Sequence, residues 1–339
     1  MNAKRGVRIA RREKPSRVRC AQPAGLFVFA FLLLTAEIAF AAFPERPVRL
    51  IVPLPPGGGT DLLARTLTQQ LGERWGHTVV IDNRGGAGGT IGVDLAAKSQ
   101  PDGYTIVMGY IAPISVNVSL GKLPYDPVKD LAPITMVAVA QNVLVVHPSL
   151  AATNVKELIA LLKGKPGYFH YASAGNGSSP HLSAELFKGM AGVNMNHVPY
   201  KGAGSAFIDL MAGQVSMYFG SLPSSLPHIR AGKVRALAVT GAKRSPIVPE
   251  LPTIAEAAVP GFDSTQWYGI LAPARTPPVI VEQLHRDHVA VLGNPVVKER
   301  LFSQGYEVVA NSRAEFAQYI RDEIAKWARV VKEAGIRAD

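Results

Sequence analysis

The stretch Val48-Arg49-Leu50-Ile51-Val52-Pro53-Leu54-Pro55-Pro56-Gly57-Gly58-Gly59-Thr60-Asp61 decides how this chain is read. Val48 to Val52 is the short apolar run of a strand buried on both faces. The proline- and glycine-rich segment behind it reads as a loop. Leu63, Leu67 and Leu71 then recur at helical spacing, and Gly72 and Gly76 help to end that helix. Strand, tight loop and helix in that order make one α/β unit.

The unit recurs along the chain. Residues 79–81 form a strand, 85–90 a glycine-rich loop containing Gly88 and Gly89, and 91–98 a helix; 104–108 is the next strand, with Tyr110 just beyond it. Residues 169–172 lead into Ser173-Ala174-Gly175-Asn176-Gly177-Ser178-Ser179, and Pro180 then stands where a first helical residue would. Val198-Pro199-Tyr200 leads into Lys201-Gly202-Ala203-Gly204-Ser205, residues 215–219 into Gly220-Ser221, and 234–239 is one more strand. This alternation predicts an α/β fold of mostly parallel sheets with helices on both faces. Residues 246–262, rich in proline and small side chains, read as a surface connection and not as core. Residues 314–334 read as an amphipathic helix packed through Phe316, Ile320, Ile324 and Trp327.

With 339 residues, the chain exceeds one ordinary core and suits two domains of comparable size. Residues 1–41 read as a removable export signal for the general secretory route. Eight basic residues come first, then the apolar run Leu26 to Leu34, then the small-x-small site Ala39-Phe40-Ala41. The apolar run falls well short of the ~20 residues of a membrane span. This segment holds eight Lys/Arg and two acids, so six of the eleven formal positive charges leave with it. The residual basicity gives no reason to expect nucleic acid as a partner. The single cysteine, Cys20, leaves too, which excludes disulfides, a catalytic cysteine and thiolate metal sites from the exported chain.

Three glycine- and hydroxyl-rich loops each separate a strand from a helix. Such loops expose backbone N–H groups at the positive end of a helix dipole, which favours an anion. The hydroxyls of Thr60, Thr90, Ser178, Ser179 and Ser205 can cap the helices or donate to a ligand. Catalytic motifs fail on spacing. No GxGxxG is completed, no loop has the lysine and hydroxyl of a P-loop, and Tyr171-Ala172-Ser173-Ala174-Gly175 lacks the first glycine of GxSxG. The histidines form no HExxH, and His285 and His288 read as solvated surface. Asp61 is placed as a helix cap, a water-holding group or a general base. No cofactor and no metal are expected.

The chain also resembles the Bug family, the substrate-binding proteins associated with tripartite tricarboxylate transporters. The resemblance starts at Arg46-Pro47-Val48-Arg49-Leu50-Ile51-Val52-Pro53 and the loop to Asp61. It continues through Asp82-Asn83-Arg84, Gly86-Ala87-Gly88-Gly89, Pro101-Asp102-Gly103-Tyr104-Thr105 and Leu123-Pro124-Tyr125-Asp126-Pro127. Tyr171-Ala172-Ser173, Gly175-Asn176-Gly177-Ser178, His197-Val198-Pro199-Tyr200-Lys201-Gly202, Leu251-Pro252-Thr253 and the segment from Trp267 to Pro273 complete it.

The resemblance implies a two-lobed periplasmic-binding-protein (type II) fold with two inter-lobe crossings, near residues 142 and 265. Residues 42–142 with 266–339 would form the first lobe and 143–265 the second. It implies capture of a small carboxylate in the periplasm, by a monomer read by membrane permease subunits or by a sensor protein. The ligand-binding residues it suggests are Gly57, Gly58, Gly59, Thr60 and Asp61, then Gly88, Gly89 and Tyr110. On the other lobe they are Ser173, Gly175, Asn176, Gly177, Ser178, Ser179, Tyr200, Lys201, Gly220 and Ser221. The sequence departs from the family pattern at Gly220-Ser221, where Asp-Asn is common, at Gly85 for proline and at Leu54 for phenylalanine. A sensing adaptor without a transporter, and an exported hydrolase or isomerase using Asp61 or Ser173, are the competing readings.

Overall fold

The structure is a computed structural model that describes residues 43–333; the expected leader and Cys20 lie outside them, as does Ala334. Strand β1 (Val48–Val52) is followed by helix α1 (Gly59–Trp75), β2 (Val79–Asn83), a short 3-10 turn at Ala87–Gly89, α2 (Thr90–Ala97) and β3 (Thr105–Tyr110). A π-turn at Ala112–Val116 runs into α3 (Asn117–Leu120) and the long strand β4 (Leu131–Val146). Then come α4 (Val155–Gly164), β5 (His170–Ser173), α5 (Ser179–Ala191), β6 (Asn196–Pro199), α6 (Ala203–Met211), β7 (Met217–Ser221), α7 (Leu222–Arg230) and β8 (Arg235–Val239). The chain ends through α8 (Ile254–Ala257), β9 (Thr265–Pro273), α9 (Pro278–Gly293), α10 (Pro295–Gln304), β10 (Glu307–Val308) and α11 (Arg313–Glu333).

The strands follow one another in the order β2-β1-β3-β9-β4-β7-β5-β6, with β8 and β10 also paired to β4. The flanks are parallel, β1 with β2 and β3, and β5 with β6 and β7. There each strand is followed by a helix that returns the chain across the sheet. The middle is antiparallel, because β9 runs against both β3 and β4, and β4 also runs against β7. The sheet is therefore mixed, and its antiparallel centre lay outside what strand–helix alternation predicts.

Strand β4 belongs to both halves of this ladder. Up to Gln141, opposite Thr265, its neighbour is β9; from Asn142, opposite Ser221, it is β7. Beyond the switch its side chains alternate between two cores, as a pleated strand requires. Leu144 and Val146 join the large cluster of Tyr171, Phe187 and Phe219, while Val143 and Val145 join Phe207, Leu210 and Tyr218. Helix α1 buries Leu63, Leu67 and Leu71 and stops at Gly76, which takes φ 67° in the left-handed region. Each buried leucine is worth about 1.5–3 kcal/mol.

Two readings of the sequence are corrected by burial. Residues 246–262 are not merely a surface connection. Ile254, Val259 and Phe262 are buried, and Thr253 caps α8 in a reciprocal capping box with Glu256. His288 is not on the surface either. It is fully buried with its ring edge-on to Trp75, and burial pushes its imidazole down to about 4, so it is a neutral core side chain. Its charged sequence neighbours hid the fact that α9 turns this position inward together with Leu284 and Val291.

Helix α11 crosses the β4–β9 pair with Phe316, Ile320 and Trp327 buried. Phe316 lies so close to Gly269 of β9 that a Cβ there would come within 2.2 Å of the ring. Gly269→Ala is expected to push α11 off the sheet and lower stability by about 1–3 kcal/mol, measured by urea unfolding.

Candidate functional site

The loops after β1, β5, β6 and β7 and the ends of β3 and β9 meet around a small, partly open cavity. Its volume is about 30 Å³, and its walls are Leu54, Pro55, Gly58, Gly59, Thr60, Tyr110, Ala174, Ser178, Ser179, Pro180, Gly202, Ala203, Tyr218, Ser221, Gln266 and Tyr268. Outside it, sharing Leu54, Pro55 and Ala174, is a chamber of about 480 Å³ bordered by Pro56, Asn83, Gly85, Gly86, Ala87, Gly88, Gly89, Gly175, Asn176, Tyr200 and Lys201. A larger open groove of about 900 Å³ runs past Arg65, His77 and Arg300 but borders none of the glycine-rich loops.

Two helices begin at the cavity without side-chain caps. α1 starts after Gly58 and α5 after Ser178, and neither residue donates or accepts a capping bond through its side chain. The first N–H groups of a helix have no partner within it, and each helix start carries about half a positive charge. The Ser178 Oγ is buried and has no hydrogen-bond partner among the described residues. A buried polar group in that state calls for a ligand or solvent partner. No Arg, Lys, His, Asp or Glu lines the inner cavity. Tyr110, Tyr218 and Tyr268 are fully buried, and burial raises each phenol far above neutral pH, so they act there as neutral hydroxyls.

Asp61 shapes the first loop from behind and does not line the cavity. It sits at the third helical position and reaches back to the Gly57 N–H at 3.0 Å, while Gly57 itself holds φ +85°. Arg65 Nε at 2.9 Å and Asn83 Nδ2 at 3.1 Å complete its shell. Burial alone would raise its carboxyl, but the hydrogen bonds from Arg65, Gly57 and Asn83 and the Arg65 charge outweigh it, so the net shift is downward. Ser173 is equally committed. It is fully buried, its Oγ takes the Gly175 N–H at 3.1 Å and meets His197 Nε2 at 2.7 Å, and it faces neither cavity. That serine–histidine pair props the second loop.

Of the residues singled out from sequence, Gly58, Gly59, Thr60, Tyr110, Ser178, Ser179 and Ser221 come together at the inner cavity. Gly88, Gly89, Gly175, Asn176, Tyr200 and Lys201 gather at the outer chamber. Gly57, Asp61, Ser173, Gly177 and Gly220 border neither space. Gly177 gives its N–H to His181 Nδ1 at 3.2 Å, and Gly220 packs on the Tyr218 ring. Sequence reasoning missed Ala174, Gly202, Tyr218, Gln266 and Tyr268.

Tyr268 donates to Gln266 Oε1 at 3.1 Å, and Gln266 donates to Asn142 Oδ1. Asn142 is fully buried and donates through Nδ2 to Ser179 Oγ at 3.1 Å and Ser183 Oγ at 2.8 Å. The cavity floor is thereby tied to the point where β4 changes partners. Among the described residues no cluster of three His, Cys, Asp or Glu side chains could hold a metal ion.

Gly59 is the tightest point of the floor. A Cβ there would lie 2.8 Å from Ser221 Oγ and 3.3 Å from Tyr268 Oη. Gly59→Ala is expected to fold but to lose at least about tenfold in ligand affinity, since the two sides of the cavity can no longer meet; calorimetric titration reads this out. Asp61→Asn is expected to cost about 1–3 kcal/mol at neutral pH. Because the Asp61 carboxyl is lowered in the fold, its stabilisation is present above the unfolded carboxylate range and is lost as pH falls through the folded value. Wild type and Asp61→Asn should therefore begin to converge in urea stability as pH falls below about 4.

A family profile described as "Tripartite tricarboxylate transporter family receptor" matches residues 63–336. Protein BugT of Bordetella pertussis is 40% identical over 315 residues, covering 92% of this chain and 96% of that one. The solved structure of R. palustris Rpa4515 with adipate is 40% identical and superposes with a TM-score of 0.84, over 87% of this chain and 99% of that one. MatC from Rhodopseudomonas palustris, solved with bound malate, is 32% identical with a TM-score of 0.82, over 85% of this chain and 100% of that one.

Proposed function

Because the chain belongs to the tripartite tricarboxylate transporter receptor family, we propose that it captures a small carboxylate between two closing lobes and presents it to membrane permease subunits. As a member of that family it is a periplasmic solute-binding protein and not an enzyme. The structures similar to it with adipate and malate support a carboxylate as the ligand. The observation that carries the reading is the cavity onto which two uncapped helix starts and the unpartnered Ser178 hydroxyl converge. Such donors hold a carboxylate without a cationic side chain.

The lobes of the proposal are residues 42–142 with 266–339, and 143–265. The switch of β4 from β9 to β7 between Gln141 and Asn142, with Thr265 opposite Gln141, supports crossings at those two places. The capturing groups are then Gly58 to Thr60 from the first lobe and Ser178, Ser179 and Ser221 from the second. A ligand that bonds to both lobes binds the closed form more tightly and shifts the population toward it. The basic leader ending near Ala41 would direct export and be removed, leaving a monomer that the permease reads in its closed form.

The test is a thermal-shift screen of the exported protein against a carboxylate panel after unfolding and refolding to strip any carried ligand. A true ligand at a hundred times its dissociation constant adds about 2.7 kcal/mol of stability. The expected result is a clear carboxylate hit without turnover, accompanied by a smaller radius of gyration in X-ray scattering. No carboxylate hit from a folded protein, or scattering unchanged at saturation, would overturn the reading.

A further inference from the structure

The two helix starts at the cavity are braced in the same way, with one difference of chemistry. In α1 the side chain at the third helical position, Asp61, reaches back to the N–H of Gly57, which holds φ +85°. In α5 the side chain at the third position is His181. Its Nδ1 takes the N–H of Gly177 at 3.2 Å, and Gly177 holds φ +70°. Each brace fixes a glycine in the left-handed region just ahead of the helix and so aims the helix start. The first brace is a carboxylate and the second an imidazole.

An imidazole nitrogen accepts a hydrogen bond only while it carries no proton. The His181 ring must therefore be neutral, with its proton on Nε2, whenever the loop has this shape. Protonation would set a ring N–H against the N–H of Gly177. The ring has little room to turn away. His181 is 1% exposed and stacks on His197 of β6 with ring centroids 4.3 Å apart, and His197 stacks on Tyr171 of β5 at 4.9 Å. The charged groups beside them are Glu185, one turn further along α5, which accepts the Tyr171 hydroxyl, and Lys188, which donates to Glu185 at 2.8 Å. Glu185 favours a proton on the stacked pair, and each imidazole opposes a second one. His197 tolerates its own charge, because its Nε2 meets the Ser173 hydroxyl at 2.7 Å, and a hydroxyl can accept as well as donate.

Resting on the carboxylate capture read above, we infer that His181 is a positioning residue for the second loop and makes that half of the site acid-sensitive. Proton uptake by His181 releases Gly177, and Ser178 and the start of α5 lose their aim at the cavity. Asp61, whose carboxyl is lowered in the fold, keeps α1 braced over the same range. Binding is present above the pH at which His181 gains its proton in the folded chain and is lost as pH falls through it.

Two measurements on the refolded exported protein test this. Imidazole nitrogen NMR spectra, assigned by the signal lost in His181→Asn, should show the Nε2–H tautomer at about pH 8. The Gly177 amide should shift as His181 titrates between about pH 8 and about pH 5. The carboxylate panel is then read by thermal shift at the same two pH values. In wild type the gain in melting temperature should shrink at the lower pH by the equivalent of about fivefold in affinity, the scale of one lost hydrogen bond. His181→Asn puts an oxygen where Asp61 has one relative to its glycine. It should bind more weakly than wild type at the higher pH and show no such fall. Protonation of the probes themselves cancels in that comparison. His197→Gln should keep the fall. An Nδ1–H tautomer, a Gly177 amide indifferent to the titration of His181, or a His181 that takes no proton over this range would overturn the inference. So would a fall that persists in His181→Asn or vanishes in His197→Gln. No panel hit at either pH would overturn the carboxylate reading, while the tautomer and the Gly177 amide still decide the role of His181.

Discussion

The hydrogen bonds of the Asn142 side chain hold the centre of this molecule together. Asn142 is fully buried where β4 leaves β9 and joins β7, and it spends its amide on Ser179, Ser183 and Gln266. Its main chain is held as firmly, since Thr240 Oγ1 accepts the Asn142 N–H at 2.9 Å and the Thr240 N–H returns to its carbonyl at 2.9 Å. A buried amide left unpaired costs on the order of a few kcal/mol, so the network holds only when all its members are in place. The strand switch, the start of α5 and the tyrosine floor are therefore set together.

The carboxylate site proposed above has no cationic side chain in its inner wall. An arginine would bring charge but also a long side chain to order. Helix starts are already ordered by the packing of their apolar faces. In α1 that face is Leu63, Leu67 and Leu71; in α5 it is Leu182, Leu186 and Phe187. The carboxylate of Asp61 stands behind the loop and fixes its shape, so the one acid near the site points its charge away from the cavity.

What the sequence made legible was local. The β1–loop–α1 unit, the glycine loops and most parallel strands announce themselves within about fifteen residues, through apolar runs, glycine punctuation and helical spacing. Strands β4 and β9 were missed because Pro133, Thr135, Gln141 and Asn142 interrupt the apolar pattern of β4, and because β9 pairs antiparallel with β3 and β4, which lie more than a hundred residues earlier. The floor residues Asn142, Gln266 and Tyr268 went with them. Their partners lie far away in sequence, as Gln266 does from Asn142, and such pairing leaves no short-range mark. The hydroxyl-rich loop at Ser178 was visible; that Ser173 in the same loop is structural was not, because only His197 against its Oγ reveals it.

The outer rim carries a consequence for time rather than for affinity. A Cβ on Gly88 would lie 2.8 Å from the carbonyl of Gly177, so the loop after β2 and the loop after β5 touch backbone to backbone. Backbone has no rotamer to swing aside, and neither loop can let a molecule past by a side-chain flip. Escape must wait for the loops themselves to part, a collective motion slower than any rotamer change. For the carboxylate capture proposed above, the seam would set the residence time, because release would wait for the two loops to part.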